Sequence, residues 1–293
     1  MKKLVVVLTL ISALGLVVAG CAPAATPCPP CPEGGECPPA AECPEAPDCP
    51  DCPEVGPTTD LGGREVRIAV ENAYPPFNYI DADTNEPVGW DYDVGRAICE
   101  RLNCTPVFVE AAWEGLFEAM AAGEYDVAFD GITLTLARSL VVDYGDPYVE
   151  YGQVILVRAD DERPEIADED SLVASDLTVS TQIATTNEIT AMKLVGEDRV
   201  VSFEQYDMPI VALMSGDVDT VIIDEVGAIG FMSANPGAME IAFAVTGGEL
   251  LAFPYPPLSD LVEPFNWALQ EMFADGTMDE ICQEWILRDC SPE

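Results

Sequence analysis

Arg138 stands out among the residues able to do chemistry. It follows Gly131-Ile132-Thr133-Leu134-Thr135 in a 293-residue chain with 12 basic and 53 acidic residues. A guanidinium fork offers two parallel donors to a carboxylate. The competing role is a surface ion pair with one of the many acids. Other polar residues recur just after apolar runs. Glu71 and Tyr74 follow 66–70; Asp130, Gly131 and Thr133 follow 126–129; Thr185 and Thr186 follow 177–179; Asp224 follows 220–223. Ligands in open α/β sheets bind beyond the carboxyl ends of the strands, so these positions form one candidate binding set. Taken singly they are less informative. Each Asp also reads as a turn former, Thr185-Thr186 as a plain N-cap pair, and Tyr74 and Trp113 as core aromatics. There is no His, so proton transfer would fall to carboxylates and tyrosines. The set reads as a binding site, with no enzyme activity, cofactor or metal.

The elements that must position these residues alternate in type. A strand is expected at 66–70, a helix at 92–102 with Asp91 as its N-cap, and a strand at 105–109. A helix at 114–122 should close at Gly123, and a strand follows at 126–129. The alternation runs to 253, and two helices, 259–274 and 277–287, end the chain. Such alternation indicates an α/β fold with parallel or mixed sheets flanked by helices. One unit occurs twice: helix end, Gly, Asp, apolar strand, Asp, at Met120 to Asp130 and again at Met214 to Asp224. The repeat suits two lobes of similar construction. The spacing Cys99/Cys104 and Cys282/Cys290, each near a helix end, predicts two disulfides, the first requiring the helix to stop at Leu102 before Asn103.

The N-terminus carries an address. Met1-Lys2-Lys3 precedes an apolar run too short for a stable span, which ends in Val18-Ala19-Gly20-Cys21. This resembles the lipobox of bacterial lipoproteins, and implies a signal peptide over 1–20 and lipidation of Cys21. Residues 21–60 are rich in Pro, Glu and Cys without apolar periodicity, and read as a tether. Its pairs Cys28/Cys31 and Cys49/Cys52 also permit zinc; an oxidised, disulfide-stiffened stalk is the reading preferred in an exported segment. A net charge of −41 disfavours nucleic acid and anionic lipid surfaces as partners.

Several runs then match a known family. They are Tyr74-Pro75-Pro76-Phe77, Gly89-Trp90-Asp91-Tyr92-Asp93, Gly131 to Thr135 with Arg138, Val142 to Tyr148, Ala184-Thr185-Thr186, Val218 to Glu225 and Ala274-Asp275-Gly276-Thr277. The chain resembles the polar-amino-acid group of periplasmic solute-binding proteins. That resemblance implies a two-lobe type II fold with a two-strand hinge, lobe 1 being 61–152 plus 249–293 and lobe 2 being 153–248. It implies that Arg138, helped by Thr133 and the backbone at Gly131, grips a ligand α-carboxylate. Thr185 or Thr186 would add a donor, Asp224 would accept from the α-ammonium, and Tyr74 and Trp113 would sandwich the side chain. The family usually has Gly where Ala184 stands. In members taking basic amino acids an acid at the position of Glu71 faces the ligand, and Asp130 is within reach of its far end. The implied ligand is arginine first, then lysine or ornithine, with glutamine as runner-up. The implied partner is an ABC permease, and the location extracytoplasmic. A sensor subunit and a cyclohexadienyl-dehydratase-like enzyme are the alternatives on this scaffold.

Overall fold

The structure, a computed structural model, describes residues 59–287 and 290. The expectations for the leader, Cys21 and the tether cysteines lie outside those residues. Strand Glu65–Val70 is the centre of a parallel three-stranded sheet between Thr105–Glu110 and Val127–Ala128. A second sheet orders Val200–Phe203, Val179–Gln182, Thr220–Asp224, Gln153–Arg158 and Met239–Ala244. Its first three strands are parallel, and Gln153–Arg158 runs antiparallel to both of its neighbours. Central strands such as Thr220–Asp224 are buried along their whole length, as strands covered by helices on both faces must be. Two α/β lobes result.

The chain crosses between the lobes twice. Val149–Tyr151 leads out and Glu249–Leu251 leads back, paired antiparallel. Gly152 lies at the crossing, where a Cβ would sit 2.2 Å from the Thr246 carbonyl oxygen, so no larger residue fits without moving the hinge. Helices Val262–Asp275 and Thr277–Trp285 then return to pack on helix Trp90–Leu102. Beneath them Phe129, Phe253, Tyr148 and Trp90 stack as a buried aromatic column, each ring contributing about 1.5–3 kcal/mol of apolar burial.

The first helix begins earlier than the periodicity suggests, at Trp90, and Asp91 is not its N-cap. Gly89 is, at φ 129. A Cβ there would lie 2.2 Å from the Phe77 oxygen, which explains the glycine. The first helical N–H groups donate to the carbonyls of Pro76 and Phe77 at 3.0 and 2.9 Å. A side-chain cap is therefore redundant, and Asp91 turns inward, wholly buried. At the other end Asn103 takes the left-handed conformation, and the structure contains both the Cys99–Cys104 and the Cys282–Cys290 bridges. The repeated unit is present too. Gly123 and Gly216 turn the chain at positive φ after their helices. Asp126 and Asp219 then accept the backbone N–H groups of Arg67, inside strand Glu65–Val70, and of Thr178, just before strand Val179–Gln182, at 2.8 and 2.9 Å.

Candidate functional site

All ten of Glu71, Tyr74, Trp113, Asp130, Gly131, Thr133, Arg138, Thr185, Thr186 and Asp224 line one cavity between the lobes. They arrive there because strands of both sheets point their carboxyl ends at it. Glu71 follows Val70, Asp130 lies just beyond Val127–Ala128, and Asp224 ends strand Thr220–Asp224. Gln182, Asn187 and Tyr206 complete the lining and were not anticipated. Gln182 and Asn187 flank the Thr185-Thr186 pair, so proximity was their signal. Tyr206 lies just after Val200–Phe203, a strand end to which the same edge rule applies.

Arg138 is partly buried and held in place. Its Nη1 donates to the Thr133 carbonyl at 2.9 Å, and the guanidinium lies 5.0 Å from the Trp113 ring centroid and 4.7 Å from that of Phe117. Burial pulls its pKa below the ordinary value, yet arginine stays charged. Among the described residues no carboxylate forms an ion pair with it. In so acidic a protein, a guanidinium positioned by a carbonyl and two rings but unpaired is ready for an external anion.

The second lobe contributes helix Thr186–Val195. Thr185 is its N-cap: its hydroxyl accepts from the Glu188 N–H at 3.1 Å and donates to the Gln182 carbonyl at 2.7 Å. That donor is spent, so of the two threonines only Thr186 has a hydroxyl turned toward Thr133, at 3.4 Å. Ala184 adopts φ 59, a left-handed conformation that favours glycine. Its N–H donates to the Glu188 side chain at 2.8 Å, completing the cap from both sides.

Asp224 accepts from the Tyr74 hydroxyl at 2.6 Å and from the Asn187 amide at 2.7 Å. Burial pushes its pKa up to about 6 against those two bonds. Tyr74 stacks on Tyr206, centroids 3.9 Å apart, while Trp113 faces Arg138. Tyr206 comes from a loop of the other lobe, whose approach a strand-by-strand reading does not contain.

Glu71 accepts from the Gln182 amide at 2.8 Å and the Tyr206 N–H at 3.3 Å, both across the cleft. Burial first, and then the Asp130 charge, push it up to about 8. Asp130, buried beside it, accepts from Asn78 at 2.9 Å and is likewise raised by burial. Raised acids reverse the usual pH dependence. The native state keeps protons that the unfolded chain has already lost above about pH 4.5, so their contribution is fully present below that pH. Stability is lost as pH rises to about 8. Each pH unit crossed with one such native-only proton costs about 1.4 kcal/mol. Thermal melts of the ligand-free protein should therefore fall in midpoint from pH 5 to pH 8, and fall less in Glu71→Gln. Equal falls in the two proteins would show that Glu71 carries none of the effect.

Two α/β lobes, a two-strand crossing and a polar cavity at the strand ends define a type II periplasmic-binding-protein fold. The profile of "Bacterial extracellular solute-binding proteins, family 3" matches residues 66–288, and the chain belongs to that family. It is 27% identical over 227 residues to ABC transporter arginine-binding protein 1 of Escherichia coli K12, covering 76% of this chain and 90% of that one. To a probable histidine-binding protein of Campylobacter jejuni it is 25% identical over 228 residues, 76% and 85% covered. An ancestral arginine-binding protein bound to glutamine superposes with TM-score 0.70 at 31% identity, over 75% of this chain and 97% of that one. An ancestral arginine-binding protein bound to arginine gives 0.69 at 31%, over 75% and 97%.

Proposed function

We propose that this chain captures a free α-amino acid between its lobes and delivers it to an ABC permease, without chemical turnover. Arginine is the preferred ligand, lysine or ornithine next, glutamine the runner-up. The observation that carries this reading is the pair Glu71 and Asp130, two buried carboxyls lining the same cavity, with no ion-pair partner among the described residues. Buried charges of one sign are costly without a cation to pair them, and a guanidinium supplies one in planar form. Arg138 takes the α-carboxylate and the Asp224 end the α-ammonium, so the charged ends of the ligand tie the lobes together. The arginine-binding relatives support the same choice. On this proposal Cys21 carries the lipid anchor, residues 21–60 form the tether, and the lobes divide at 152/153 and 248/249.

A competition series tests it. Arginine, lysine, glutamine and glutamate are titrated against the full chain at pH 8. Arginine should bind tightest and glutamate weakest, since glutamate meets both acids. Glutamine or glutamate binding tighter than arginine at that pH would refute the assignment.

A further inference from the structure

The acid pair does not stand alone. Asp91, fully buried one layer behind the cavity, is joined to Asp130 by Asn78, whose amide donates to Asp91 Oδ2 at 2.7 Å and to Asp130 Oδ1 at 2.9 Å. The orientation of that amide is fixed, because Asn78 Oδ1 accepts the Asn72 N–H at 2.6 Å. Both amide hydrogens of Asn78 are thus committed to carboxyl oxygens, and a row of three acids, Asp91, Asp130 and Glu71, runs from the core to the cavity. We infer that this row holds an exchangeable proton at the cavity, and that the proton decides between a guanidinium-bearing and a carboxamide-bearing amino acid.

The groups facing the row make it hold a proton. Beside Glu71 are Asp130, Asp207, the Gln182 amide and the Tyr206 N–H. Around Asp91 and Asp130 are each other, Asn78 and the buried Tyr148 hydroxyl. The cavity adds Asp224, Tyr74 and one cation, Arg138, which the ligand carboxylate neutralises under the proposed function. Glu110, Glu114 and Glu204 line an adjoining pocket together with Glu71. Acids therefore outnumber cations around the row, and burial raises Glu71, Asp130 and Asp91 alike. With one proton on the Glu71–Asp130 pair, the pair presents an O–H donor and a carboxylate acceptor. A carboxamide matches both, its carbonyl accepting and its NH₂ donating. With that proton gone, the pair presents only acceptors and a second negative charge, which a guanidinium matches. Arginine entering below neutrality must expel the proton to solvent, whereas glutamine enters with the proton in place.

The inference rests on the proposed function, and its test separates the two. Affinities of arginine and glutamine are measured by calorimetry on the wild-type full chain from pH 6 to pH 8. Arginine binding is repeated at pH 6.5 in two buffers of different ionisation enthalpy. One proton linked to binding changes affinity about tenfold per pH unit. The arginine-to-glutamine affinity ratio should therefore rise at least tenfold from pH 6 to pH 8, and the two buffers should report about one proton released per arginine bound. A ratio that changes less than about threefold, or an arginine enthalpy independent of buffer, overturns the inference and leaves amino-acid capture standing. Failure of both ligands to bind at every pH overturns the proposed function, and the inference with it.

Discussion

Arg138→Ala is expected to abolish ligand binding while the protein still folds. The guanidinium lines the cavity, is aimed by Thr133, Trp113 and Phe117, and has no ion-pair partner among the described residues. Losing one side of a buried, charged hydrogen-bonded pair costs about 2–5 kcal/mol, or roughly 30- to 4,000-fold in affinity. Arg138→Lys keeps the charge but not the planar fork, and should lose most of the same affinity. Arg138→Met keeps much of the contact with the rings and serves as the folding control. Calorimetry with arginine on the three variants, with thermal melts alongside, checks the result. Native-like affinity in Arg138→Ala would remove Arg138 from the site.

Gly230→Ala should weaken binding at least tenfold from a position that does not line the cavity. Gly230 lies on helix Glu225–Ala234 of the second lobe, and a Cβ there would sit 2.5 Å from the Pro75 oxygen and 2.6 Å from its carbonyl carbon in the first lobe. Backbone does not yield as a side chain does, so an added methyl holds the lobes apart. A ligand that binds the closed arrangement then has to oppose that contact. Within an open protein the same change replaces a helical glycine by alanine, worth about 0.5–1 kcal/mol of stability. The two effects have opposite sign, which makes the experiment decisive: the ligand-free melting midpoint should stay level or rise while affinity falls. Unchanged affinity would show that the lobes do not need to meet at Pro75.

What the sequence determined was the order and type of the elements and the edge at which the polar groups gather. Both follow from local rules. Strand ends are marked by apolar runs that stop, and the sheets of an α/β fold place those ends at one edge. That is why Glu71, Asp130 and Asp224, far apart in sequence, share a cavity. The two short-range disulfides were legible for the same reason, since Asn103 stops the first helix within reach of Cys99.

What only the tertiary structure decided was which polar groups answer one another across the cleft. Tyr206 stacks on Tyr74, Gln182 reaches Glu71 from the other lobe, and Asn187 joins Tyr74 on Asp224. Asp91, which reads as a helix cap, became a buried acid because the carbonyls of Pro76 and Phe77 had already taken the first helical N–H groups. Each of these depends on how closely two lobes approach and on which backbone groups are already satisfied. Those are distances between segments up to 150 residues apart, and no local pattern of residue types encodes them.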